Sequence, residues 1–191
     1  MHAKKKQLLE AGLKMLLERG YNDLGIQALL EATDTPKGSF YHHFASKEDF
    51  ALEVVDLYMI GVHQALDAFL GATDIPPLQR IRNFFEAIRD SYRSEGYLGC
   101  LLGGLGQELS GVSELFAKKI ETCLSTIGEN LARCLIEAKL RQELPEQADP
   151  QQISMVLVNC WEGAALRSRL QRREAPLDQM LDFCFHRAFQ A

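Results

Sequence analysis

Residues 33–50 read TDTPKGSFYHHFASKEDF. Aromatic side chains, two adjacent histidines and two lysines are crowded here between a turn signal at Thr33-Asp34 and a fresh helix start, which suggests a surface that touches something outside the chain. Thr35 reads as an N-cap with Pro36 at the first helical position, where its missing N–H costs nothing and its φ is already helical. The spacing predicts a short helix from Pro36 to His43. Phe40 and Phe44, four apart, face inward and leave Lys37, Ser39, Tyr41 and His42 outside. Ser46 with Asp49 three residues later is a second capping signal. It opens a long helix through Phe50, Val54, Leu57 and Tyr58 to about Leu70.

Working outward, Leu9, Leu13, Leu16 and Leu17 recur at helical spacing from about residue 4, and Gly20 stands where a helix often ends on a left-handed residue. Ile26, Leu29 and Leu30 give a second, very short helix. Downstream, GATDIPP at 71–77 reads as a connection. Helices are expected at about 78–94, 99–110, 113–141, 151–171 and 177–189, with Pro145 and Pro150 interrupting the pattern. There is no alternating strand pattern and no internal repeat, so the expected fold class is all-α.

The chain has 191 residues, a formal net charge of -5 and 47% hydrophobic residues, ordinary for a globular protein. The average hides an asymmetry: residues 1–47 hold seven Lys and Arg against five acids, leaving 14 basic and 21 acidic residues in the remainder. A basic end on an acidic body suits a polyanion at one end only. Five cysteines, without a C-x-x-C pair, suggest reduced thiols in a cytoplasm rather than a disulfide framework. Glu10, Lys14 and Glu18 interrupt the first apolar stretch, and the longest uncharged runs fall well short of the roughly 20 residues that span a bilayer, so neither a signal peptide nor a membrane partner is expected.

A short helix, a tight turn and a second short, exposed helix form the geometry that puts a recognition helix into a DNA major groove. Lys37 and Lys47 can neutralise phosphates; Ser46 and the amides opening the next helix offer an anion site; Tyr41 and His42 add donors; Gly38 lets backbone approach closely. The competing reading is a helical hairpin with a solvated polar face. A metal site at His42 and His43 is not expected, because neighbouring helix positions diverge by about 100° and no third ligand is near.

The stretch GIQALLEATDTPKGSFYHHFASKEDF resembles the DNA-binding segment of the TetR family of bacterial transcriptional repressors, over about residues 5–55. The resemblance implies a helix-turn-helix DNA-binding domain at 1–47 and a ligand-binding and dimerisation domain at 48–191. It implies double-stranded operator DNA as partner, a small-molecule effector and no cofactor. It also implies a homodimer paired through residues 151–171 and 177–189, with Met155, Val158, Trp161, Leu166 and Leu170 as apolar surface. The DNA-facing set is Gln27, Thr35, Lys37, Gly38, Ser39, Tyr41, His42, Ser46 and Lys47. Gly25 stands where many relatives carry a Ser or Thr cap, and Gln27 is the candidate to replace its phosphate contact.

The second informative stretch is GYLGCLLGGLGQELSG at 96–111, with six of the fourteen glycines. It matches no phosphate loop. Cys100 is expected at a helix start, where amide dipoles favour a thiolate; the alternative is a small packing residue, as expected for Cys123, Cys134, Cys160 and Cys184. The Gly-Cys-Leu start with its Glu-Leu-Ser helix resembles the electrophile- and acrylate-responsive, NemR-like and AcuR-like branch of the same family, though Arg169 stands where the NemR-like switch has a lysine. Phe84, Phe85, Ile88, Tyr92, Leu101, Leu105, Phe116 and Trp161 are the expected surroundings of a ligand, or ordinary core. A cysteine-dependent enzyme is the alternative, but His63 and His186 offer no recognisable base.

Overall fold

The computed structural model describes residues 3–189, apart from the side chains of residues 187 and 188. Its helices are α1 (Ala3–Arg19), α2 (Ile26–Ala32), α3 (Lys37–His43), α4 (Lys47–Leu70), α5 (Pro77–Ser94), α6 (Leu101–Leu109), α7 (Glu114–Leu140), α8 (Pro150–Gln171) and α9 (Ala175–Phe183), which continues into a π-helical turn at Cys184–Ala188. No strand occurs among the described residues, and none of their helices is long and apolar enough to cross a membrane. The chain divides into two compact units. One runs through Val62 and includes Leu101–Glu121; the other comprises His63–Cys100 and the residues from Thr122 onward.

In the first unit α1 ends at Gly20, whose φ of 80° is the left-handed value that favours glycine. Phe40, Phe44 and Phe50 are buried together, with ring centroids 4.9 to 5.4 Å apart. Gly12 on α1 makes room for them, since a Cβ there would lie 2.3 Å from Phe50 Cζ. Ser46 Oγ accepts from the Asp49 N–H at 3.0 Å, and the Asp49 carboxylate accepts from the Ala45 N–H at 2.9 Å. This reciprocal cap starts α4 where the sequence places it.

Two local expectations are corrected. Thr35 does not cap α3: the N-cap is Pro36, at φ -60° and ψ 143°, with no side-chain cap. Thr35 is buried and its hydroxyl donates to Thr33 O at 3.2 Å, inside the α2–α3 turn. Pro150, in turn, begins α8 rather than interrupting it: Asp149 caps the helix by accepting from the Gln151 and Gln152 N–H groups at 2.9 and 3.3 Å.

In the second unit Trp161 on α8 packs on Phe85 and Tyr92 of α5, with ring centroids 4.8 and 6.0 Å away. Val158 and Trp161 are therefore core, while Met155, Leu166 and Leu170 are exposed. Cys123, Cys134 and Cys184 are buried as expected, but Cys160 is exposed, because it shares the outward face of α8. Burial pushes the Cys134 and Cys184 thiols up to about 11, consistent with inert packing groups.

The charged centre of this unit is Arg80, 2% exposed. Its guanidinium donates to Ile75 O and Leu70 O at 2.7 and 3.0 Å and to both Glu137 oxygens at 2.9 and 2.7 Å. It thereby closes the connection between α4 and α5 and ties it to α7. Hydrogen bonding to Arg80 holds the Glu137 carboxyl below its ordinary value of 4.5. A depressed folded pKa means the contribution is complete above the unfolded value and disappears as pH falls through the folded one. Glu137→Ala should therefore lower the urea denaturation midpoint at pH 7, with the gap to wild type narrowing below pH 4.5; a pH-independent gap would show that the pair contributes nothing.

Candidate nucleic-acid interface

The exposed face of α3 carries Lys37, Gly38, Tyr41 and His42, with Ser39 half-buried. Seven residues are too few to hold a helix alone. The helix exists because Phe40 and Phe44 anchor its other side, and Tyr41, 49% exposed, stands edge-on to Phe40 at 5.2 Å. A Cβ added at Gly38 would meet nothing within 4 Å, so the fold itself makes no demand for glycine there. The His42 and His43 rings are 5.2 Å apart, and no group of three metal-ligating side chains occurs among the described residues.

The turn ahead of α3 is held from α1: Lys4 Nζ donates to Thr33 O and Asp34 O, both at 3.3 Å, and Gln7 Nε2 donates to Thr33 O at 3.3 Å. Lys5 pairs with Glu53 on α4 at 2.6 Å. These two N-terminal lysines thus brace the unit from within. Gln27 is exposed on α2 and donates to Glu31 at 2.9 Å, one helical turn on; Gly25 is the uncapped N-cap of that helix.

Lys47 departs from the expectation of a free cation. Its ammonium lies over the Tyr21 ring, 4.4 Å from the centroid, and donates weakly to Asn22 O at 3.5 Å. Burial lowers its pKa. Ser46, by contrast, is exposed, with its hydroxyl engaged in the α4 cap.

The sequence gives no hint of Glu108. Its carboxylate on α6 accepts from the Tyr21 N–H at 2.6 Å, and from the Asn22 N–H and Nδ2–H at 3.3 and 3.2 Å. A Cβ at Gly20 would collide with it at 2.7 Å. The N–H groups left over where α1 ends are thus satisfied by a residue 87 positions away. Beside it, Ser113 donates to Glu48 at 2.7 Å while its Oγ accepts from the Phe116 N–H at 3.3 Å, and Lys119 pairs with Asp56. Within this unit α6 thus bears on α1, and the start of α7 bears on α4.

Of the apolar residues expected around a ligand, Phe84, Phe85, Tyr92 and Trp161 are buried and Ile88 half-buried in the second unit, while Leu101, Leu105 and Phe116 are buried in the first. Cys100 is half-exposed and immediately precedes α6. It has a hydrogen-bond partner invisible in the sequence, the carboxyl of Glu162 on α8.

Comparison with known proteins gives a consistent result. Residues 8–54 match the family of bacterial regulatory proteins, tetR family, and residues 77–184 match the tetracyclin repressor-like C-terminal domain. The transcriptional regulator AcuR of Cereibacter sphaeroides is 36% identical over 90% of this chain and 79% of its own. A crystal structure of regulatory protein TetR from Rhodobacter sphaeroides superposes with a TM-score of 0.91 at 34% identity, covering 96% of this chain and 97% of that one. The crystal structure of the reduced form of NemR from E. coli has a TM-score of 0.83 at 27% identity and covers 94% of both chains.

A charged hydrogen bond contributes about 1.5–3 kcal/mol. Glu108→Ala should therefore speed hydrogen exchange at the Tyr21 and Asn22 amides by roughly tenfold or more, with the α5 amides unchanged; unchanged exchange at Tyr21 would mean that the carboxylate does not hold the turn.

Proposed function

The chain belongs to the TetR family of DNA-binding transcriptional regulators, and on that premise we propose that it is a cytoplasmic homodimeric repressor that releases a palindromic operator when an electrophilic small molecule reaches Cys100. The family is non-enzymatic, and the cysteine-dependent enzyme alternative is set aside. The observation that carries the DNA reading is α3 itself: a helix anchored by two buried phenylalanines that presents Lys37, Gly38, Tyr41 and His42 outward. A glycine that the fold does not require supports close approach of an outside backbone.

In this reading residues 1–47 bind DNA and residues 48–191 receive the effector and pair the subunits. Lys37 neutralises phosphate, Tyr41, His42 and Ser39 meet the groove, and Gln27 adds a contact from α2. Lys47 positions Tyr21, and reaches phosphate only by leaving that ring. Thr35 shapes the turn. The exposed Met155, Leu166 and Leu170 of α8 give an apolar face for a second copy. Two α3 helices about one DNA turn apart then read the two halves of a palindrome.

For the effector, Cys100 combines partial exposure with a place immediately before α6, the helix whose Glu108 grips the end of α1. A covalent change at that position biases the helix on which the DNA-binding unit rests. The relative from E. coli, whose structure is that of a reduced form, supports thiol chemistry as the trigger.

Fluorescence anisotropy on DNA from upstream of the chain's own gene tests both parts. Wild type should bind that DNA in preference to random duplex and dissociate with an equimolar α,β-unsaturated carbonyl, while Cys100→Ser binds equally and stays bound. No preference for the upstream DNA would overturn the repressor reading; release of both proteins alike would remove Cys100 as sensor. Lys37→Ala should weaken binding to every duplex and reduce the slope of log K against log salt by about 1 per protomer; an unchanged slope would take Lys37 off the phosphate backbone.

A further inference from the structure

The segment that leads into Cys100 is laid along one face of α8. Gly96, Tyr97 and Gly99 all have positive φ, at 79°, 61° and 80°. Glycine adopts this value freely, but Tyr97 does so under strain and needs fixing from outside. Arg172 Nη1 donates to Gly96 O at 3.0 Å, and Arg169 Nη1 donates to Leu98 O at 2.9 Å. A Cβ at Gly99 would lie 3.6 Å from Ala165 O and from Arg169, an ordinary contact that places Gly99 against this part of α8. The next partner in this march is Glu162, whose carboxyl hydrogen-bonds the Cys100 thiol. Positions 169, 165 and 162 are spaced four and three apart, the interval that lines one helix face, and Arg172 is the left-handed cap that follows it. The loop therefore runs antiparallel to α8 in fixed register, and its register delivers the one nucleophile of the segment to the one carboxyl on that face.

Resting on the reading of Cys100 as the electrophile site, we propose that Glu162 is the proton acceptor that makes the Cys100 thiol reactive toward uncharged α,β-unsaturated carbonyl compounds. As Sγ bonds to the β-carbon, the S–H bond breaks and its proton passes to the Glu162 carboxylate. The electron pair of the C=C bond moves to the α-carbon and carbonyl oxygen, and the α-carbon then takes a proton from the Glu162 carboxyl. The thiol has added across the double bond, Glu162 is regenerated, and no oxidant or reductant is consumed.

The surroundings suit this role. Burial raises the Glu162 pKa, opposed by the Cys100 hydrogen bond, which narrows the gap between carboxyl and thiol and strengthens the carboxylate as a base. The other charged groups facing the segment are Arg169 of α8 and Arg172 at its C-cap, both occupied with backbone carbonyls. From α5 the titratable neighbour is Tyr92, packed on Trp161 beside Glu162. A neutral acceptor fits better than an anionic one, because an ionised Glu162 repels negative charge at the site. Arg169, engaged with Leu98 O, holds the loop.

The test is the rate of adduct formation between the full-length protein and acrylamide, read at the Cys100 peptide by mass spectrometry from pH 5 to 9, with glutathione as the free-thiol reference. In wild type the rate should level off well below the pH at which glutathione does. Glu162→Gln should react at least about tenfold more slowly at pH 7 and climb tenfold per pH unit as a simple thiol does, while Glu162→Asp recovers part of the plateau. Circular dichroism and urea midpoints identify any variant that fails to fold, and the wild-type profile alone then decides: a profile that follows glutathione overturns the proposal. A Glu162→Gln rate equal to or above wild type does so as well, because a packed carboxylate would only repel the thiolate. Labelling that bypasses Cys100 overturns both this proposal and the electrophile reading. A Glu162-dependent adduct that leaves operator binding intact would refute the sensing role alone.

Discussion

Every outward feature of the DNA-binding unit depends on the meeting of three rings, Phe40, Phe44 and Phe50. Isolated helices of this length are unstable in water because nucleation costs more than two turns of hydrogen bonds return. The ring cluster supplies the missing stability and, being on one side of α3, fixes which residues face out. Replacing a buried phenylalanine by alanine typically costs about 3–5 kcal/mol, a large share of what a small helical unit has. Lys37, Tyr41 and His42 are thus presented by a buried ring cluster to which only Tyr41 adds an edge contact, on Phe40.

The same unit contains a second kind of restraint, electrostatic and longer in range. Glu108 satisfies amide groups at the end of α1, Lys47 lies on the Tyr21 ring between them, and Ser113 and Lys119 tie the start of α7 to α4. Charged hydrogen bonds of this sort are stronger than neutral ones, about 1.5–3 kcal/mol each, and geometrically demanding. Contacts of this size lie in the range in which a ligand can shift a population. A hydrophobic seam alone would tolerate sliding; a carboxylate bound to two successive amides does not.

What the sequence discloses follows from distance along the chain. The inward pair Phe40 and Phe44, the Ser46–Asp49 cap and the Gly20 terminus are all encoded within four residues, and each appears where expected. Proline sets φ near -65° both at an N-cap and at the first helical position, so the difference lies in ψ, and Pro36 takes the extended value. On α8 apolar residues occupy more than one face, and periodicity does not separate the buried Val158 and Trp161 from the exposed Met155, Leu166 and Leu170. Glu108 with Tyr21 and Glu162 with Cys100 join distant segments, and an acidic residue on a helix looks the same whether it faces water or a turn. Cys100 is legible as a candidate thiol, but its partner Glu162 is not.

In the proposed function α3, carried on its aromatic anchor, enters DNA as one of a symmetric pair. The most direct measurement of this is a hydroxyl-radical footprint on the DNA upstream of the chain's own gene, comparing wild type with Tyr41→Ala. The account predicts two protected patches related by a dyad and about one helical turn, roughly 34 Å, apart. It also predicts that Tyr41→Ala, with an unchanged circular dichroism spectrum, weakens both together. A single unsymmetric patch, or a footprint indifferent to Tyr41 and to the other exposed residues of α3, would contradict it.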